Sequence, residues 1–158
     1  MDLPAPVAEL TNAPVEPETN KLSGLLVALR SADVTERRHA AEAIQALGSD
    51  ATNALLNIRV ALLQDSDLEV RFWLVVALVN NQTYEPAGVS VLVGVLGHEQ
   101  AALRRQACVT LARIPAREFN KADVVPALKA ATADGSEEVR QAAFAALKAI
   151  APEEVPGR

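Results

Sequence analysis

Four arginines divide this chain of 158 residues into near-equal lengths: Arg37, Arg71, Arg104 and Arg140, which lie 34, 33 and 36 residues apart. Small and apolar residues follow each at matching offsets. The series are Arg37–Ala40–Ala43–Ile44–Leu47, Arg71–Leu74–Ala77–Leu78, Arg104–Ala107–Thr110–Leu111–Ile114 and Arg140–Ala143–Ala146–Leu147–Ile150. A period of this size is one supersecondary unit used repeatedly, and such units stack side by side because none can bury its apolar face alone. The expected architecture is an elongated stack with an extended surface.

Composition identifies the unit. Half of the residues are apolar, yet only five are aromatic, and Ala, Leu and Val supply most of the remainder. Ala and Leu favour helix, and small side chains let helices approach closely, so the chain reads as all-α. The spacing predicts eight helices in four pairs. First helices are expected near 20–31, 51–64, 86–97 and 122–133, second helices near 34–47, 68–80, 100–114 and 137–150. Leu22, Leu25, Leu26 and Leu29 recur at helical intervals, as do Leu55, Leu56, Val60 and Leu63.

Four residues before each repeated Arg stand Asp33, Asp67, Gln100 and Ser136. Asp and Ser suit a helix N-cap, and Glu36 completes a capping box with Asp33. Gln100 is the weak member, with Glu99 or His98 sharing its job. Pro86 and Pro126 fall at or near the start of first helices, where a missing amide costs little.

Residues 1–19 hold four prolines among acidic and small residues and read as a flexible Pro-rich acidic arm, alternatively a docking motif. Residues 20–151 form the repeat body, and 152–158 a short tail. Of the net charge of -5, Asp2, Glu9, Glu16 and Glu18 carry four, leaving a nearly neutral body. Such a body lacks the clustered positive field that nucleic acid needs. No apolar run is long enough to span a bilayer. One cysteine, Cys108, excludes an internal disulfide, and the N-terminal residues do not resemble a signal peptide, so a cytoplasmic location is expected by elimination.

Gln64-Asp65-Ser66-Asp67-Leu68-Glu69-Val70-Arg71 and Ala133-Asp134-Gly135-Ser136-Glu137-Glu138-Val139-Arg140 resemble the turn within a HEAT repeat. They are closest to the short class of bacterial HEAT-like and phycobilisome-lyase-like proteins. The Ala-x-x-Ala-Leu spacing and Val125-Pro126-Ala127-Leu128 fit the same pattern. The resemblance covers about residues 20–151 and implies a right-handed α-solenoid, with second helices on the concave face and first helices on the convex face. It also implies a polar ladder between repeats, built from Arg37, Arg71, Arg104 and Arg140 with Asp33, Asp65, Asp67 and Asp134, and from the cap Ser136. The third repeat departs from it, with His98-Glu99-Gln100 in place of an acidic turn.

The second repeat is apolar on all sides from Phe72 to Val79, and a helix with no polar face is buried all round or bound to something. Phe72, Trp73, Val76 and Val79 are therefore the expected centre of a partner-binding patch, rimmed by Arg38, His39, Arg105 and Gln106. The competing reading places Trp73 in the gap between repeats.

No catalytic residue, metal site or cofactor is expected. A lone His98-Glu99 pair is too few ligands, Cys108 has apolar neighbours, and no phosphate loop is present. The expected function is a non-catalytic protein–protein interaction scaffold that holds a protein through its concave face. A bilin lyase or pigment-handling chaperone, and more remotely a HEAT-like DNA glycosylase, are the alternatives. Phe144 and Ala145 at an open end raise self-association through terminal repeats.

Overall fold

The computed structural model describes residues 17–155, with side chains from Lys21 onward. Among these residues there are eight α-helices and no strand. They are α1 (Pro17–Ala28), α2 (Val34–Ala46), α3 (Leu55–Gln64), α4 (Leu68–Asn80), α5 (Pro86–Val95), α6 (Ala101–Arg113), α7 (Lys121–Ala131) and α8 (Glu137–Ile150). Consecutive helices pair into four hairpins: α1–α2, α3–α4, α5–α6 and α7–α8. The second helices fall within one residue of their expected bounds, because each starts at a turn the sequence marks clearly. Of the arm expected over 1–19, residues 17–19 belong to α1 and 1–16 lie outside the described residues; of the tail expected over 152–158, Pro152–Glu154 form a 3-10 turn and 156–158 lie outside them.

Three local details differ from the expectation. The segment before α3 is a 3-10 helix over Gly48–Ala54. Ser49, Asp50, Thr52 and Asn53 offer side-chain hydrogen bonds that compete with an α-helical start, and Thr52 Oγ1 donates to the Ser49 carbonyl. Pro86 opens α5, but Pro126 lies five residues inside α7, leaving the Ala122 carbonyl without its ordinary amide partner. Asp33 and Asp67 cap their helices through the amides of Thr35 and Val70, whereas Ser136 makes no side-chain cap and donates to Glu138 instead.

The core runs the length of the stack. Ile44, Ile58, Leu62, Leu74, Leu78, Leu92, Leu111, Leu128 and Leu147 are buried, and each hairpin supplies some of them. Helices α2 and α4 run close along their length, as do α6 and α8; α4 and α6 meet over only a short stretch. Side-chain size accounts for this. Four residues after the repeated Arg stand Ala41 and Cys108 in α2 and α6, but Val75 in α4, beside the bulky Phe72. Val75 turns instead onto α5, where a Cβ on Gly88 would lie 3.2 Å from both Val75 methyl carbons. Glycine at position 88 thus lets α5 close on α4 where α6 cannot.

Candidate functional site

The repeated arginines define the joints. Arg37 donates through Nη1 to the Ser31 and Ala32 carbonyls of its own turn, and through Nε and Nη2 to both oxygens of Asp65 in the next hairpin, at 2.8 and 3.4 Å. Arg104 repeats the pattern: Nη1 reaches the His98 and Glu99 carbonyls, and Nε and Nη2 grip Asp134 at 2.7 and 2.8 Å. One guanidinium therefore closes its own turn and clamps the following repeat. The two-bond Arg–carboxylate geometry is directional as well as strong. The clamp holds Asp134 well below the usual carboxylate range, at about 2; the Arg104 hydrogen bond is the largest cause and the Ser136 amide the next. Joint 1–2 adds a second fork, from Arg38 to Asp67 at 2.9 and 2.6 Å, and this contact likewise lowers the Asp67 pKa.

Joint 2–3 lacks the clamp. The Arg71 side chain makes no hydrogen bond or ion pair with any described residue, and its Nε is buried without a partner. Its expected carboxylate is replaced by His98. Within its own turn His98 does what the acid does elsewhere: Nδ1 accepts the Gln100 amide at 3.2 Å, as Asp65 and Asp134 accept those of Asp67 and Ser136. Its Nε2 lies 3.3 Å from Glu69, which also faces Arg38 at 3.4 Å. A neutral imidazole serves both contacts, accepting at Nδ1 and donating at Nε2. It offers no anion to Arg71. At the opposite ends of the second helices, Asn80 bridges Gln45 and Arg113, donating to the Gln45 carbonyl and accepting from Arg113 at 2.7 Å. Asp33 caps α2 and takes no part in a joint. Arg140 makes no hydrogen bond or ion pair to a carboxylate among the described residues; its side chain donates to the Asp134 and Gly135 carbonyls.

The expected apolar patch on α4 is core. Phe72, Val76 and Val79 are at most 3% exposed, so they cannot touch a partner without unpacking the stack. The physical reason is that α4 packs on α2, α3 and α5 together, so its apolar sides all enter the core. Trp73 is half-buried, packs on the core and sits 4.8 Å from the Phe72 ring. Of its expected rim, Arg38 is committed to Asp67 and Glu69. His39 and Arg105 are exposed, and Gln106 is half-buried.

The barest large apolar residues lie on the first helices. Leu56, Val60 and Leu63 are 70%, 44% and 63% exposed, and their spacing puts them along one side of α3. Val27 of α1 is equally bare. Val60 also lines a groove of about 330 Å³ whose other wall is Leu26 and Leu29, with Arg30 at its end. Sequence periodicity marked these residues as helical without assigning them a face; the inward face of α3 is occupied by Ile58 and Leu62.

Cys108 is fully buried, and burial pushes its thiol up to about 11, leaving no thiolate for chemistry at neutral pH. Among the described residues no three His, Cys, Asp or Glu side chains converge to hold a metal ion. No described helix is long and apolar enough to cross a membrane.

The family model described as HEAT repeats matches residues 22–113, more than half of the chain, and the HEAT repeat model matches 124–153. The chain belongs to the HEAT-repeat family. Comparison of this HEAT protein with curated proteins finds no match. Two engineered proteins of known crystal structure are similar. One is 26% identical with a TM-score of 0.59, covering 83% of this chain and 62% of the other. The second, 23% identical with a TM-score of 0.56 over 82% of this chain and 63% of its own, shows the fold alone. The HEAT chain thus spans a little over three fifths of the length of each.

Proposed function

We propose that this HEAT protein is a non-catalytic scaffold that binds another protein, and that the outer side of α3 is its first contact surface. HEAT repeats generally mediate protein–protein interaction. The observation that carries the reading is the stripe Leu56–Val60–Leu63, left bare on the side of α3 opposite the buried Ile58 and Leu62. A contiguous apolar surface beside a groove costs solubility, and its usual occupant is a partner. Burial of Phe72, Val76 and Val79 moves the apolar centre off α4, where Trp73 is still partly open.

The test is affinity capture from the native cell with three chains: wild type, the double variant Leu56→Glu plus Leu63→Glu, and Trp73→Ala. Both leucines are solvent-exposed, so the double variant keeps wild-type helicity. It should lose the captured partner, with affinity down at least tenfold, while Trp73→Ala retains it. Retention by the double variant and loss by Trp73→Ala would return the contact to the second-helix layer.

A further inference from the structure

Two of the four repeated arginines lack an acidic partner: Arg71 inside the stack and Arg140 in the fourth hairpin. Arg140 Nη1 donates to the Asp134 and Gly135 carbonyls at 2.8 and 3.0 Å, the same hold on its own turn that Arg37 and Arg104 have on theirs. The other edge of the guanidinium, Nε and Nη2, takes Asp65 from Arg37 and Asp134 from Arg104. On Arg140 that edge meets no acceptor among the described residues. The fork is therefore preset by the fold and empty.

Its surroundings match those of a joint. Four residues after each Arg, Ala41, Val75 and Cys108 are buried, whereas Phe144 in the same place is 43% exposed. Arg140, Phe144, Gln141 and Thr132 line a depression of about 410 Å³. Glu137 also lines it, but is tied by Gln141 at 2.9 Å. The neighbouring flank of the hairpin is occupied, because Glu153 and Glu154 of the 3-10 turn after α8 pair with Lys121 and Lys129 of α7. What stays open is a seat for one helix beside α8.

We infer that the Arg140–Phe144 end of the stack binds the first turn of an α-helix in a different polypeptide, one that begins Asp-x-Ser or Asp-x-Asp. Two internal joints define this occupant. In each, the Asp carboxylate accepts the amide two residues on, which fixes it for the arginine fork, and a valine five residues on is buried: Val70 after Asp65 and Val139 after Asp134. The partner offers the same carboxylate to Nε and Nη2 and lays its apolar residue against Phe144. A second copy stacked end to end does not fit. Its first hairpin carries Ser31 where the acid belongs, and its two suitable acids are already held by Arg37 and Arg104. This site is separate from the α3 stripe and stands or falls independently of it.

The experiment is a side-chain NMR titration of the full chain, following the Arg140 Nε–H and Phe144 ring signals. The probe is a capped peptide with the sequence of residues 133–151, in which the aspartate at 134 is free of Arg104. Both signals should shift and saturate. The peptide carrying Asp134→Asn should bind at least about tenfold more weakly, because a neutral amide forfeits the charge-assisted fork. Arg140→Lys in the chain should weaken the aspartate peptide to the same degree, while Arg71→Lys should leave it unchanged. Equal binding of the Asp and Asn peptides, or no shift up to about 1 mM peptide, at the weak end of specific recognition, would overturn the proposal. So would concentration-dependent shifts of these signals without peptide, which would seat a second copy there.

Discussion

Joints 1–2 and 3–4 are held differently from joint 2–3. In the first two, small residues at the crossing bring the second helices together and an arginine fork grips an aspartate of the next turn. In joint 2–3 the acid is a histidine, the fork is empty, and Val75, beside the buried Phe72, wedges against Gly88 of α5. One repeat unit thus tolerates two solutions to the same stacking problem. An ion pair needs both partners in register, because a buried unpaired group costs free energy. An apolar wedge needs only volume. The contrast shows why a repeat can lose its signature acid and stay stacked.

The largest expected effect comes from the wedge. Phe72→Ala removes a fully buried ring with no clamp to compensate, and should cost about 3–5 kcal/mol in denaturant unfolding. A loss below about 1 kcal/mol would mean that joint 2–3 does not depend on it.

Repairing the missing rung is the next test. His98→Asp keeps the acceptor for the Gln100 amide and offers Arg71 a carboxylate, at the expense of the Glu69 contact. It should raise stability by about 1 kcal/mol, the net worth of a typical hydrogen bond. No gain would show that the volume of Val75 and Phe72, rather than the absent acid, sets the distance between α4 and α6.

Acid should act on the clamped joints selectively. The folded-state pKa of Asp134 is about 2 against an ordinary 3.8, so its carboxylate binds fewer protons folded than unfolded. Its contribution is fully present above pH 4 and is lost as the pH falls from about 4 to 2. Asp67, lowered in the same direction, adds to this loss. The unfolding midpoint should drop across that interval, and Asp134→Asn should flatten part of the drop.

The smallest effect sharpens the wedge. Gly88→Ala gains helix propensity but pushes a methyl against Val75, so the net change should stay within about 1 kcal/mol. In a Val75→Ala background the same substitution should become favourable, and a double-mutant cycle reads the coupling.

The sequence made the helices, their pairing and the Arg period legible because capping chemistry and apolar spacing are local. It also marked His98 as the departure in the third repeat, since a missing acid shows in an alignment of the four turns. It did not show which way the faces of α3 and α4 point. Leu56, Val60 and Leu63 and the inward Ile58 and Leu62 are all apolar at helical spacing, so periodicity cannot separate them. An all-apolar α4 likewise reads as buried or as sticky, and only its neighbours decide. The open Arg140 fork was invisible for a related reason: Arg140 matches the other three in sequence, and only the partner opposite it differs.

The arginine clamp carries the account, and a pair of double-mutant cycles tests it most directly. One combines Arg104→Met with Asp134→Asn, the other Arg71→Met with His98→Ala, each followed by denaturant unfolding. The clamp predicts strong non-additivity at Arg104–Asp134, and additivity within about 0.3–0.5 kcal/mol, the usual behaviour of independent sites, at Arg71–His98. Additive behaviour at Arg104–Asp134, or equal coupling at both, would contradict it.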